Sequence, residues 1–138
     1  MSEINQTSQL IAIAKAVTDS LAEYDAELAF APEISLAELS ARRVVVVPLS
    51  QKYEPVSRSE QDATYQIQIG VMCRAKEENV PELLALAERI ALPFQLRTFC
   101  DATCTKVEFN PIYAAEYLRG KSLFYSVATL TFEQEVES

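Results

Sequence analysis

Histidine is absent from this chain, which removes the commonest general base and every serine or cysteine triad built on one. Glycine is scarce: Gly70 and Gly120 are the only two, and neither stands in a G-x-x-x-x-G-K or G-x-G-x-x-G setting, so no phosphate-cradling loop is encoded. Positive charge is also short, with 12 basic against 20 acidic residues and a net charge of −8. Nucleic-acid binding is disfavoured, because neutralising phosphates needs a basic surface. The longest apolar run, residues 44–49, is far too short to cross a bilayer. Three cysteines (Cys73, Cys100, Cys104) cannot pair completely, which suits a reducing compartment. A structural zinc site needs four ligands, and the C-x3-C pair Cys100 and Cys104 has no histidine and one further cysteine to draw on. The spacing leaves open whether those two form a disulfide.

What is present describes an ordinary globular protein. The chain is 49% hydrophobic and 23% charged over 138 residues, which argues against global disorder. One domain spanning residues 1–138 is expected, burying roughly two-thirds of the unfolded surface. The opening MSEINQTSQ lacks the positive region and apolar core of a secretory signal, so synthesis in the cytoplasm is the expectation.

Residues 8–21 predict a first helix, with Leu10, Ile13, Ala14, Val17 and Leu21 on one face and Thr7 or Ser8 as N-cap. A strand is expected at residues 27–32, then a connection with a helical turn at 33–40. Arg42 and Arg43 lead into four successive valines, which implies a strand buried on both faces, or on one face with a subunit packed on the other. Pro48 either ends this strand or marks a missing ladder bond. Residues 51–62 are polar, contain Pro55 and read as a mobile loop.

In the following strand Tyr65, Ile67, Ile69, Val71 and Cys73 point one way and Thr64, Gln66, Gln68 and Arg74 the other. Cys73 is expected in the core, and Gly70 as the mark of a bulge. Val80-Pro81-Glu82 opens a second helix whose buried stripe is Leu83, Leu86, Ala87, Ile90 and Phe94, weakened at its last turn by Pro93. A short strand follows at 105–109. After a charged bend at 116–121 comes a run dense in β-formers, with Phe124, Ser126, Ala128, Leu130 and Phe132 on one face. About 12 such residues span roughly 40 Å, beyond the usual strand length. A strand that long can offer surface to a neighbour. The predicted fold class is α+β: an antiparallel or mixed sheet with two main helices packed on one face.

The acidic residues Glu77, Glu78, Glu133, Glu135 and Glu137 fall in expected loops or the tail and read as solvated charge. No catalytic, cofactor-binding or metal-binding residue is assigned, and no enzyme is expected. A small enzyme working through two close carboxylates is the remote alternative, and it would need a concave pocket. Arg58, Arg119, Arg42 and Arg43 are the candidates for bidentate pairs across a subunit contact, Arg58 and Arg119 foremost. The plainer reading of each is an ordinary surface arginine.

The segments RRVVVVP, EPVSR, YQIQIGV and NPIYAAEYLRGKSLFYSVATLTF together resemble the tail terminator and head–tail joining proteins of long-tailed bacteriophages and prophages. The resemblance covers nearly the whole chain. Its most specific part is P-x-Y-x-x-E-x-L followed by S-V-x-T-L-T-F, between Pro111 and Phe132. It implies an α+β virion subunit in the tail or neck, forming a ring of six copies. That ring caps the tail tube, ends its polymerisation and docks the head connector or a head-completion protein. No membrane, cofactor or sequence-specific nucleic acid is implied. Another neck component, such as a head-completion or tube protein, is the alternative.

Overall fold

The computed structural model describes residues 8–30, 42–110, 113 and 115–137. Its centre is a long β-hairpin, β2 (Arg43–Pro55) and β3 (Glu60–Arg74), against which the C-terminal strand β6 (Leu123–Glu137) lies antiparallel. β5 (Ala102–Phe109) pairs antiparallel with β6, and β4 (Thr98–Phe99) closes that side. On the opposite side β1 (Glu27–Leu28) runs parallel to β2. The sheet is therefore mixed, in the order β1-β2-β3-β6-β5-β4, and the fold is α+β as expected.

Two helices cover one face. α1 (Gln9–Ser20) buries Ile13, Ala14 and Val17, and α2 (Val80–Ala91) buries Leu86, Ala87, Ile90 and Ala91. Both stripes join one core with Val44 and Val46 of β2, Tyr65, Ile67, Ile69 and Val71 of β3, and Phe124, Leu130 and Phe132 of β6. These are the alternate positions that a two-residue side-chain period puts on one face. Ser8 occupies the N-cap of α1 but makes no side-chain capping bond; Thr7 lies outside the described residues. Pro81 sits in the first turn of α2, where its missing N–H costs nothing, and Pro93 lies in a single 3₁₀ turn (Leu92–Phe94) that follows.

The valine run is buried on both faces within the single chain, the first of the two arrangements its composition allows. Val45 and Val47 form a second cluster with Met72 and Leu123, joined by Ala29 and Tyr125. Of the strand expected at 27–32, only Glu27 and Leu28 pair, and residues 31–40, with the expected helical turn, lie outside the described residues.

Four expectations are corrected. Residues 51–62 are not a loop: β2 runs on to Pro55, a four-residue turn follows, and β3 begins at Glu60. The prolines permit this because of where they sit. Val46 turns its carbonyl away from β3 to accept from Ala29 N–H at 2.9 Å. By the alternation of an antiparallel ladder, Pro48 and Pro55, paired with Ile67 and Gln61, face the same open side. The N–H that each lacks is not needed by β3.

The bulge expected at Gly70 lies instead in β2, where the register shifts between Pro48 and Ser50, and both ladders pass through Gly70 unbroken. The charged bend at 116–121 is a short helix, α3 (Ala115–Lys121). Leu118 is its buried anchor and Tyr117 stacks on Tyr125 with centroids 6.1 Å apart; with so little of it turned inward, the segment reads as polar. Cys73 is half-buried, its thiol directed to the Arg74 carbonyl at 3.3 Å, because β3 ends there.

Candidate assembly surface

β3 and β6 pair along all fifteen residues of each, whereas β5 reaches β6 only as far as Glu133. Beyond that point β2, β3 and β6 continue as a three-stranded arm. Residues 49–60, which lead into the arm and form its tip, are exposed throughout, yet include Leu49 and Tyr53, each 47% exposed, and Val56 at 63%. Tyr53 is fixed by the core: its ring meets buried Tyr65 edge-on at 6.1 Å, and the two hydroxyls are 3.4 Å apart. Burial, and secondarily this hydrogen bond, push the Tyr65 phenol well above its ordinary value. The turn at the tip is closed by Val56 and Ser57, whose N–H groups both donate to the Glu60 carbonyl at 3.0 and 3.1 Å.

On the face away from the helices the register sets Glu54, Asp62 and Glu135 side by side across three strands. Like charges directly opposite one another destabilise a sheet. Asp62, Glu133, Gln134 and Glu135 line a shallow cleft of about 290 Å³. Thr105 anchors its rim, its hydroxyl donating to Glu133 Oε2 at 2.6 Å. Among the described residues no group of three or more His, Cys, Asp or Glu is placed to hold a metal ion.

The four candidate arginines do not form one patch. Arg58 lies in the turn at the tip of the arm, while Arg43 begins β2 at its other end, roughly 40 Å away along the strand. Arg43 pairs with Glu27 at 3.1 Å, and the Arg42 guanidinium lies 5.5 Å from the centroid of the Tyr24 ring. Arg119 is exposed on α3, near that same end of the sheet, because α3 leads directly into Leu123, the partner of Arg74.

A second apolar feature was not singled out from the sequence. Ala85, Glu88, Arg89, Leu92 and Pro93 line a shallow, mostly apolar groove of about 600 Å³ on the outside of α2 and its 3₁₀ extension. Leu92 is 45% exposed, and nearby Leu96 is 76% exposed with a left-handed φ of 67°. Leu96 is held there by its N–H, which donates to the Cys104 carbonyl at 2.7 Å. Arg97 lies over Phe94 and Phe99, 5.4 and 4.8 Å from their centroids, and shields the edge of the core. The signal in the sequence was Leu92 and Leu96, apolar residues lying off the buried stripe of α2.

All three cysteines are free. Cys100 is exposed in the two-residue turn between β4 and β5, where Cys100 and Asp101 both take left-handed φ, 53° and 69°, as tight hairpin turns require. Cys104 is buried, and burial raises its thiol pKa. In comparisons with known proteins, the chain matches no family model and has no significant match to a curated protein.

Proposed function

We propose that this chain is a structural subunit of a bacteriophage neck, a tail terminator that closes into a ring on the end of the tail tube and presents a surface to the head connector. The sequence resemblance gives the reading its direction. The observation that carries it is the three-stranded arm, in which β3 and β6 remain paired beyond Glu133, where the pairing with β5 stops, while residues 49–60 stay exposed. Past Glu133 the main core takes only Ala63 from the described residues, and an extension of this kind gains from contact with a neighbour. The net charge of −8 makes free subunits repel, so assembly strengthens as salt screens the repulsion.

Electron microscopy of the purified protein beside tail tubes, with light scattering across salt concentrations, tests the reading. Closed rings seated on tube ends are expected. Endless stacking would assign the chain to the tube instead. A strict monomer that ignores tube ends at every salt concentration would defeat the proposal. So would turnover of a hydrolase substrate abolished by changing Asp62, Glu133 or Glu135 alone. Arg58→Glu and Arg119→Glu separate the two ends of the subunit: whichever spans the contact weakens the ring by placing like charges together, without unfolding the chain.

A further inference from the structure

We infer that the ring contact, on the ring reading proposed above, is made by the β2 side of one copy seating its Leu49, Tyr53 and Val56 on the α2 groove of the next. A closed ring needs two unlike patches on each subunit, and five of the seven large exposed apolar side chains among the described residues form two such groups at opposite sides of one sheet, Phe30 and Tyr117 standing apart from both. Leu49, Tyr53 and Val56 lie along β2 and its turn, while Leu92 and Leu96 lie beyond the other side, where the α2 extension meets β5. Both groups also sit at the same end of the strands. The arm begins where β5 leaves β6 at Glu133, and Leu96 N–H bonds to Cys104, the partner of Phe132. Copies placed side by side about an axis roughly parallel to the strands therefore bring the two groups to one height.

The composition of the two groups agrees with that pairing. At the tip of the hairpin Val56 is 63% exposed and has Glu54, Arg58 and Glu60 near it in the sequence. The groove is shallow and apolar at its centre, with Glu88 and Arg89 among its lining residues. An apolar centre inside a charged rim is the usual layout of a specific protein contact.

The test uses the full chain. Val56→Asp and Leu92→Asp each change an exposed residue, so the melting temperature of the dilute subunit should move by no more than about 2 °C. Each should raise the protein concentration needed for ring assembly about tenfold or more, since a carboxylate would be buried at the centre of the contact. In a Cys73→Ser, Cys100→Ser background, chains carrying Val56→Cys and chains carrying Leu92→Cys are mixed and treated with a short bis-maleimide. Covalent dimers should form in the mixture and not from either chain alone, and a chain carrying both cysteines should give a ladder of oligomers. Dimers from the Val56→Cys chain alone would show a symmetric contact and overturn the inference. Rings that form at unchanged concentration from both aspartate variants would overturn it while leaving the ring reading intact. If the unaltered chain forms no ring at any salt concentration, with or without tail tubes, the ring reading fails first and this contact with it.

Discussion

Replacing Gly70 by alanine should stabilise this protein, although glycine at the centre of a sheet invites the opposite guess. Gly70 pairs with Val45 on one side and Val127 on the other, is buried, and is not in the left-handed region. Nothing in its backbone calls for glycine. A Cβ there would lie 3.4 Å from Tyr125 Cε1 and 3.9 Å from both Met72 Cε and the Val45 carbonyl oxygen, which is ordinary contact. Restricting the unfolded chain contributes about 0.4–1 kcal/mol, and one more buried methyl about 0.8 kcal/mol. A small outward shift of the Tyr125 ring takes back part of this, leaving a gain of about 1 kcal/mol. At about 2.1 cal/mol/K of unfolding entropy per residue, 138 residues turn that gain into a rise of roughly 3 °C in Tm. Gly70→Val should do the reverse. Its branches would drive Tyr125 off Tyr117, on which it stacks at 6.1 Å, at a cost of about 1–3 kcal/mol. Circular-dichroism melts of the dilute subunit at low salt read both. In a Tyr125→Ala background most of the valine penalty should vanish, the coupling that a double-mutant cycle isolates. A lowered Tm for Gly70→Ala, or a valine variant as stable as the parent, would refute the reasoning.

Three other outcomes follow from the core. Phe132 is fully buried and meets Phe99 at 6.0 Å, so Phe132→Ala should cost about 3–5 kcal/mol, read as the loss of unfolding free energy in a urea titration; a loss under about 1 kcal/mol would contradict the assigned core. Cys104, Tyr65 and Tyr125 all hold their protons more tightly in the folded chain than at their ordinary values of 9.0, 10.0 and 10.0, desolvation being the first cause of each. Stability from them is complete below those values and is lost as pH rises past them, so the urea midpoint should fall above about pH 9 and fall less in Tyr65→Phe; a midpoint flat to pH 11 would count against it. With Cys100 exposed and Cys104 buried, a thiol reagent should label Cys100 at once and Cys104 only on unfolding, and a disulfide between them in the purified protein would contradict the structure.

The sequence was most legible where burial is one-sided. Alternation placed Tyr65, Ile67, Ile69 and Val71 in the core, and the helical stripe did the same for Ile13, Ala14 and Val17. It was least legible at the rim, where a strand exposed on both faces carries no period to read. Ser50, Gln51, Lys52 and Glu54 look like loop residues because water meets both their faces, yet each has a partner in β3. Prolines 48 and 55 deepened the error, since a proline argues against a strand unless its missing N–H points off the edge, and that direction is a property of the ladder rather than of composition. The candidate contact residues divide in the same way. Arginines can be picked from sequence by type, but whether they gather depends on the fold, which sets Arg58 at one end of the sheet and Arg42, Arg43 and Arg119 toward the other. Exposed Leu92 and Leu96 could be found only against a buried stripe that was already known.

The same prolines bear on how such a subunit can associate. Among the described residues β1 covers β2 only at Val45 and Val46, so residues 48–55 line an open edge, the kind of surface that recruits another strand without limit. Of the positions that face outward there, Pro48, Gln51, Tyr53 and Pro55, the two prolines have no N–H to offer. An added strand would find donors at Gln51 and Tyr53 alone, beside a bulge between Pro48 and Ser50 and next to Lys52. Bulges, prolines and lysine are the devices by which natural sheets keep an edge from propagating. An arm with a blunted edge therefore favours contact through its side chains over continuation of its ladder. Side-chain contacts fix an angle between neighbours and allow closure after a set number of copies. A continued ladder has no such stop, and a subunit whose proposed task is to end a polymer has reason to lack one.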